Sequence, residues 1–429
     1  MKLWNKSMDI DKRIEAFTIG DDPMYDMRLA SFDLVGSQAH AKMLYEVGYL
    51  TEKEKDAILD GLEQLLTKVE KGEFKIEEGV EDIHSQVEFS LTEMIGEPGK
   101  KLHLARSRND QIALDLKLYY LDILPRIKED LRELTEALLT KAEEKQDILM
   151  PGYTHSQAGM VSSFGLWYAS FAESLIDDIS ILNSVIKLVD QNPLGTAAGY
   201  GSSLPIDRKM TTEDLGFRNV IINPIYAQAS RGKCEYMMAF ALSNIAMTIN
   251  RLAGDLCLYS NENYGFMRLP DALTTGSSIM PHKRNPDVME LVRAKCNQMT
   301  SLPVRIQNLL MNMQTGYHRD YQLLKEILFP ELDRIREILD VVNYCIPLIT
   351  ERENIMDDAR YKYCYTVENI NEKVKSGKAF RDAYHEVKEE VKDGSFQPVS
   401  KKPHHTHLGS IGNPGIKELH RKLNSVISA

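Results

Sequence analysis

Five long stretches of the chain carry apolar side chains at the spacing of an α-helix, and this periodicity most constrains the fold. The stretches cover residues 107–149, 157–189, 230–259, 286–313 and 321–349. Periodic patterns of this length indicate a bundle, a coiled coil or a helical repeat. We find no internal repeat at a solenoid period, and strand patterns are almost absent. The sequence therefore predicts a mainly α-helical protein with a long central helical bundle.

Several of these predicted helices are apolar on more than one face. Residues 238–247 read Met-Ala-Phe-Ala-Leu-Ser-Asn-Ile-Ala-Met. A helix that is apolar nearly all round must be buried on every side. Because one subunit does not easily bury five such helices, we expect subunits to share a larger bundle. Pro125, Pro303 and Pro330 lie inside three of the stretches and are expected to kink or interrupt them.

Pattern changes along the chain suggest three domains, which the length of 429 residues also favours. Residues 1–106 combine short helical patterns with glycine and proline and are predicted to form a mostly helical N-terminal domain. Residues 107–350 hold the long stretches and are predicted to form the bundle domain. Residues 351–429 are predicted to form a small C-terminal helical domain, with a loop rich in Lys, Pro, His and Gly at 394–414.

Composition narrows the class of partner. The net charge of −11 argues against sequence-independent nucleic-acid binding but leaves room for a small basic pocket for an acidic substrate. No apolar run is long enough to span a bilayer, and the start of the chain lacks a signal-peptide pattern. The five cysteines are scattered and form no C-x-x-C pair, which is typical of a reducing compartment. We therefore expect a cytoplasmic protein that acts on a small molecule, with neither nucleic acid nor a membrane as partner.

Three segments concentrate polar chemistry. The first, residues 101–111, places arginine, serine and asparagine where a long helix should begin. A helix N-terminus offers free N–H groups and the positive end of the dipole, and arginine can clamp a carboxylate. The alternative is a structural one, in which Ser107 caps the helix and the charges are solvated.

The second segment, residues 151–157, reads Pro-Gly-Tyr-Thr-His-Ser-Gln and is predicted to start the next helix. His155 could act as an acid or base near neutral pH, although a plain helix cap is favoured for this segment alone. Residues 404–407, His-His-Thr-His, could bind a metal, but the sequence favours a solvated loop.

The third segment, residues 275–286, is a loop before a helix predicted to start near Asp287. A serine close to a lysine and a glycine hinge suits a mobile catalytic loop. Ile279 and Met280 are apolar and Lys283 and Arg284 are basic, a combination that is unusual for a loop that only connects two elements.

These segments carry a family resemblance. Residues 275–286 resemble the G-S-S-x-M-P-x-K-x-N-P signature of the fumarase/aspartase superfamily. Residues 106–111 and 152–155 are similar to the argininosuccinate lyase forms of the neighbouring active-site regions, and residues 317–325 resemble that family's Y-N-x-D-L-Q-x-x-K segment. The likeness covers nearly the whole chain, including Glu-Asp-Ile-His at 81–84.

The resemblance implies a three-domain subunit whose long helical bundle is shared in a homotetramer, with each active site drawing on three chains. The implied reaction is the reversible anti elimination of fumarate from a succinylated nitrogen. It implies no metal and no nucleotide or redox cofactor. The implied catalytic residues are Ser277, His155, Glu290 and Lys283, and the implied substrate-binding residues are Ser107, Arg108, Asn109, Thr154, Asn285, Tyr317, Gln322 and Lys325.

The roles also follow from the resemblance. Ser277 and His155 share the acid and base steps, and Glu290 orients His155 as a charge-relay partner. Lys283 and Asn285 stabilise the doubly charged carboxylate that forms when the Cβ proton leaves.

Among the other residues, Arg108, Asn109 and Thr154 would hold the dicarboxylate part of the substrate. The arginine part and its carboxylate would be held by Tyr317, Gln322 and Lys325.

The chain departs from the family at its N-terminus. The usual L-W-G-G-R-F reads Leu-Trp-Asn-Lys-Ser-Met at residues 3–8. In the family, a substrate-contacting serine usually precedes a D-x-R-L stretch, which lies at residues 26–29 of this chain. That serine has no counterpart here, and Asp22 falls near its place.

Two alternatives stay open. Adenylosuccinate lyase shares the chemistry and resembles residues 280–285, but the segment 317–325 argues against it. A catalytically silent structural homologue is the non-enzyme alternative, and Ser277, His155 and Lys283 weigh against it.

Overall fold

The computed structural model of the chain describes residues 11–428 and is mainly α-helical, as the periodicity predicts. The departure at residues 3–8 lies outside the described residues. Six helices precede the first long one: α1 (Lys12–Ile19), α2 (Asp22–Asp26), α3 (Ala30–Glu46), α4 (Glu52–Glu70), α5 (Ile83–Ile95) and α6 (Glu97–Lys101).

The middle of the chain holds the long helices, separated by short elements. In chain order these elements are α7 (Arg108–Glu144), β1 (Leu149–Thr154), β2 (Gln157–Ser163), α8 (Phe164–Val189), β3 (Gln191–Asn192), α9 (Arg208–Asp214), β4 (Asn219–Val220), α10 (Pro224–Ala229), α11 (Lys233–Tyr259), β5 (Met267–Arg268), α12 (Asp287–Met299), α13 (Leu302–Leu310) and α14 (Leu323–Cys345).

The last part of the chain consists of short elements. They are β6 (Thr350–Glu351), α15 (Thr366–Lys375), α16 (Phe380–Lys392) and α17 (Ile416–Ile427). Among residues 11–428 the strands pair as two-stranded sheets, with β1–β2 and β5–β6 antiparallel and β3–β4 parallel. Within residues 11–428, no helix combines the length and apolar character needed to cross a membrane.

Backbone contacts divide the described chain into two compact units. The first unit comprises residues 11–127, 182–243 and 301–334, and the second comprises residues 128–181, 244–300 and 335–428. The division into domains at 1–106, 107–350 and 351–429 follows sequence pattern rather than contacts, and it stays a prediction.

The first unit has an apolar core between α3, α4 and α5, in which Leu34, Leu62 and Leu91 are completely buried. Helix α4 begins with a capping box: the backbone N–H of Glu54 donates to Thr51 Oγ1, and the Glu54 carboxylate accepts from the N–H of Thr51. This cap explains why the helix starts where its apolar periodicity starts.

The predicted stretch 157–189 is wrong in its first seven residues, which form β2 rather than helix. Strand β2 pairs with β1 in a hairpin, so residues 151–157 form strand and turn instead of a helix start. Strands are few among the described residues, as the sequence predicts, and this hairpin holds the two longest of them.

The three prolines inside the predicted helices behave differently. Pro303 stands at the start of α13 and separates it from α12, so the stretch 286–313 is interrupted as predicted. Pro125 and Pro330 lie inside α7 and α14, which both continue as helix through the proline.

Candidate active site

A cavity of about 260 Å³ lies in the first unit. It is lined by five of the predicted substrate-binding residues: Arg108, Asn109, Tyr317, Gln322 and Lys325. Its other charged or titratable lining residues are Asp22, Asp26, Glu81, Asp82, His84, Arg231 and Arg319. A cavity with cations and carboxylates in its wall suits a small ligand that carries charges of both signs.

The start of helix α7 positions two of these residues. Ser107 Oγ accepts a hydrogen bond from the backbone N–H of Asn109 at 3.3 Å, so Ser107 caps the helix. The buried carboxylate of Asp110 accepts from the N–H groups of Ser107, Gly195 and Ala197 at 2.8, 2.9 and 2.8 Å. Burial raises the pKa of Asp110 to about 6 although these N–H groups act to lower it. Asp110 thus ties the helix start to the loop that follows β3.

Arg108 is held by the segment 81–85, which carries part of the family resemblance. Its guanidinium lies 3.2 Å from Glu81 and 3.2 Å from Asp82, and it donates to Ser85 Oγ at 2.6 Å. Asp82 also caps α5 by accepting from the N–H of Ser85. Burial acts to raise the pKa of Asp82, but the cations of His84 and Arg108 outweigh it and the pKa is lowered.

Lys325 has its charge compensated within the cavity wall. Its ammonium is 2.6 Å from Asp22 and also contacts Asp26, and the residue is 2% exposed. The two carboxylates stand one turn apart in α2, so they face the same cation. Burial raises the pKa of Asp22 to about 6, with Lys325 opposing the shift.

Gln322 and Arg319 line the cavity and donate hydrogen bonds to the end of α1. Gln322 donates to the carbonyl oxygens of Thr18 and Ile19 at 3.2 and 3.0 Å. Arg319 donates to Thr18 and to Glu81, at 3.0 and 3.1 Å. The segment 317–325 therefore closes one side of the cavity.

Among residues 11–428, the group with the spacing of a metal site is Asp33, His84 and Asp115, all buried. His84 Nδ1 lies 3.0 Å from Asp33 and 3.5 Å from Asp115. Burial acts to lower the pKa of His84, but the two carboxylates outweigh it and raise the pKa to about 10. The imidazole is therefore protonated at neutral pH, and a metal would have to displace this proton. The prediction of no metal and no cofactor stays a prediction.

The histidines of segment 404–407 make other contacts. His405 Nε2 lies 3.1 Å from Glu368, and the rings of His405 and His407 stack at 5.9 Å. This segment is a loop between α16 and α17, as the sequence favours.

The second unit holds the predicted catalytic loop. Thr275 and Asn285 form an antiparallel bridge that closes the loop, with N–H to O distances of 3.2 and 2.9 Å. Ser277 Oγ accepts from the N–H groups of Ile279 and Met280 at 3.4 and 3.1 Å. The side chain of Lys283 is exposed in the same loop.

Glu290 is exposed in the first turn of α12, which begins at Asp287 as predicted. Thr154 and His155 lie at the tip of the β1–β2 hairpin and are exposed. His155 and Ser156 form the two-residue turn, with φ of 53° and 60°. Positive φ at both positions is the pattern of a type I′ turn, which matches the twist of the flanking strands.

The predicted site residues therefore fall into two groups. One group forms or adjoins the cavity of the first unit: Ser107, Arg108, Asn109, Tyr317, Gln322 and Lys325. The other group belongs to the second unit: Thr154, His155, Ser277, Lys283, Asn285 and Glu290. The pairing of His155 with Glu290 stays a prediction.

Sequence reasoning did not assign six charged or titratable lining residues to the site: Asp26, Glu81, Asp82, His84, Arg231 and Arg319. Arg319 and Asp26 lie within segments that were compared with the family, so their position there was the available signal. Arg231 lies at the start of the predicted stretch 230–259, and nothing in its local pattern distinguishes it from other residues at a helix start.

Similarity to known proteins identifies the family of this chain. A family model described as Lyase matches residues 1–300. The chain is 48% identical over 412 residues to the argininosuccinate lyase of Phocaeicola vulgatus. The aligned region covers 96% of this chain and 92% of that protein. It is 47% identical over 426 residues to the argininosuccinate lyase of Bacteroides thetaiotaomicron, and that aligned region covers 99% of this chain and 95% of the relative. The chain belongs to the argininosuccinate lyase family.

A solved structure supports the fold of this family member. The class II fumarase of Schistosoma mansoni has a TM-score of 0.72 and is 17% identical, over 91% of this chain and 95% of that chain. At this identity the likeness shows the fold alone. Together with the family model it confirms the predicted class, a mainly α-helical, fumarase/aspartase-like chain.

Proposed function

We propose that this chain catalyses the reversible cleavage of argininosuccinate to arginine and fumarate, as a step of arginine biosynthesis. The observation that carries the proposal is the 47% identity to an argininosuccinate lyase across 99% of the chain. The adenylosuccinate lyase alternative is not favoured by these relatives.

The cavity of the first unit supports a substrate of this type. Argininosuccinate carries three carboxylates, an ammonium and a guanidinium, so it needs partners of both signs. The wall offers arginine and lysine cations beside the carboxylates of α2 and of segment 81–85. Arg108 lines this cavity, and Glu81, Asp82 and Ser85 hold its guanidinium.

In the proposed reaction, a base removes the proton from Cβ of the succinyl group, and the electron pair moves into the adjacent carboxylate. Lys283 and Asn285 stabilise that doubly charged group. The electron pair then returns to form the double bond of fumarate while the C–N bond breaks, and an acid donates a proton to the leaving guanidino nitrogen.

Ser277 and His155 divide the base and acid steps, with Glu290 as partner of His155. A serine hydroxyl is a poor base unless its oxyanion is stabilised. The two backbone N–H groups that donate to Ser277 Oγ would supply part of that stabilisation.

The protein is further proposed to be a cytoplasmic homotetramer with active sites shared between subunits. Thr154, His155, Lys283 and Glu290 are exposed in one chain, which is unusual for groups that must work away from water. Helix α11 exposes Met247 and Leu258, by 54% and 42%, on a face that a second subunit would cover. The five cysteines are free thiols, which suits a reducing compartment.

The test is release of fumarate, followed by its ultraviolet absorbance, after adding argininosuccinate or adenylosuccinate separately to the purified protein. We expect fumarate from argininosuccinate only. Release from adenylosuccinate only would replace the substrate, and release from neither would favour the silent homologue. Mass photometry at micromolar concentration should show a tetramer, and a stable monomer would contradict the shared site.

A further inference from the structure

Asp110 is a completely buried carboxylate that uses both of its oxygen atoms as acceptors. Its Oδ1 accepts from the backbone N–H of Ser107 and completes the cap of α7, while its Oδ2 accepts from the N–H groups of Gly195 and Ala197. A carboxylate can accept on both oxygens, whereas a side-chain amide can accept on one only. Asp110 therefore joins α7 to a loop, residues 193–198, that follows β3.

The backbone of the 193–198 loop is shaped around this carboxylate. Gly195 and Ala197 have φ of 84° and 51°, and their N–H groups converge on one oxygen atom. Converging backbone N–H groups of this kind form a concavity that favours an anion. The left-handed conformation is unfavourable for alanine, so contacts in the folded chain must hold it. We therefore expect the conformation of the loop to depend on the charge of Asp110.

The same loop fixes the orientation of Asn109, which lines the cavity. The side-chain Nδ2 of Asn109 donates to the carbonyl oxygen of Ala198 at 3.3 Å. The backbone carbonyl of Asn109 accepts from Nε2 of Gln228, a completely buried residue of α10, at 3.2 Å. Because Ala198 directly follows Ala197, the direction of the Asn109 amide depends on the anchor that Asp110 provides.

Arg208 anchors the loop from its other side. It stands at the start of α9, and its guanidinium donates to the carbonyl oxygens of Leu194 and Ile221 at 2.8 and 2.7 Å. The loop is thus tied to α7 through its N–H groups and to α9 through a carbonyl group.

We propose that Asp110 is a positioning residue, which holds the 193–198 loop against α7 and thereby orients the amide of Asn109 toward the dicarboxylate part of the substrate. The inference rests on the proposed function, in which Asn109 binds that part. Asp110 is completely buried and acts through Asn109. Loss of its charge should therefore weaken the binding of fumarate and leave the binding of arginine unchanged.

Isothermal titration of the purified protein with fumarate and with arginine, separately, tests this role. Asp110→Asn keeps the shape of the side chain but replaces one acceptor oxygen by an NH₂ donor, which then faces backbone N–H groups. The Kd for fumarate should rise about 10-fold, the lower end of the effect of a hydrogen bond to a charged group, and the Kd for arginine should stay within about twofold. A merely structural role would lower the fraction of folded protein, and hence the number of binding sites, without changing either Kd.

Arg208→Gln loosens the same loop from α9 without altering α7, so it should also weaken fumarate binding selectively. It decides the question if Asp110→Asn does not fold. Asp207→Asn and Lys209→Gln are the matched controls, because these exposed neighbours cap α9 and follow Arg208, respectively, and carry the same charges as the two tested residues. Both controls should leave the two dissociation constants at their wild-type values.

A double variant shows whether Asp110 acts through Asn109. Asn109→Ala should itself weaken fumarate binding, and adding Asp110→Asn should then weaken it little further, since both changes remove the same contact. Fully additive losses, an unchanged Kd for fumarate in folded Asp110→Asn, or equal weakening of both ligands would overturn the proposal. A wild type that binds no fumarate would instead contradict the proposed function, which the fumarate-release assay tests independently.

Discussion

At the scale of single residues, the proposed acid–base role of Ser277 can be tested directly. Two backbone N–H groups donate to its hydroxyl oxygen, and the residue is only half-buried. We expect Ser277→Ala to fold normally and to lose kcat by about 10²–10⁴-fold, the usual size of an acid–base contribution. Circular dichroism and fumarate release are the measurements. More than a tenth of the wild-type kcat in this variant would contradict the assignment.

Another residue, His84, should make stability depend on pH. Its pKa in the folded protein is about 10, because Asp33 and Asp115 outweigh the effect of burial, against about 6.5 in an unfolded chain. The stabilisation is therefore complete below pH 6.5 and is lost as the pH rises through about 10. His84→Gln removes one buried cation from beside Asp33 and Asp115 and should cost about 3–5 kcal/mol at neutral pH.

The measurement is the free energy of unfolding in urea at pH 7.5 and at the highest pH that the native state tolerates. The wild type should lose stability between these values more steeply than His84→Gln. His103→Gln is the control, since His103 has a pKa lowered to about 4 by burial and is uncharged throughout. Parallel pH curves for wild type and His84→Gln would argue against a charged His84.

At the scale of elements, the β1–β2 hairpin positions His155 through a strained turn. His155 and Ser156 both have positive φ, a region that costs about 1–2 kcal/mol for residues other than glycine. Ser156→Gly should therefore raise the stability by about 1 kcal/mol and leave kcat unchanged, because the turn keeps its geometry. Ser156→Val should destabilise, since β-branched residues tolerate this region least. The measurement is the urea midpoint of unfolding of the wild type, Ser156→Gly and Ser156→Val. Equal midpoints would contradict the prediction that the turn is strained.

At the scale of the whole molecule, the predicted site is divided between exposed groups and a cavity. Arg108 starts α7, His155 lies in a hairpin tip and Ser277 lies in a loop, so three separate connections carry the chemistry. Mixing inactive Ser277→Ala protein with inactive His155→Asn protein, after mild dissociation, should restore part of the activity. Some sites in the hybrids would then contain neither substitution. Verified subunit exchange without any activity would mean that each site is built within one chain.

Local sequence determined the helices of this protein. Helix α12 starts at Asp287 as predicted, and Ser107 caps α7. These features depend on periodicity and on contacts within a few residues, which a sequence displays directly. The motif residues at 106–111, 152–155, 275–286 and 317–325 were identified through their resemblance to segments of the family.

Tertiary structure alone decided the hairpin and the partners inside the cavity. The turn at residues 155–156 contains neither glycine nor asparagine, so the usual signal of a tight hairpin is missing, and pairing with β2 imposes the conformation. Lys325 contacts Asp26 although 299 residues of chain separate them. Such contacts form only in the folded protein. Burial there removes water, so the electrostatic interactions between residues that are distant in sequence become stronger. The composition of the chain and the spacing of its residues do not predict these contacts.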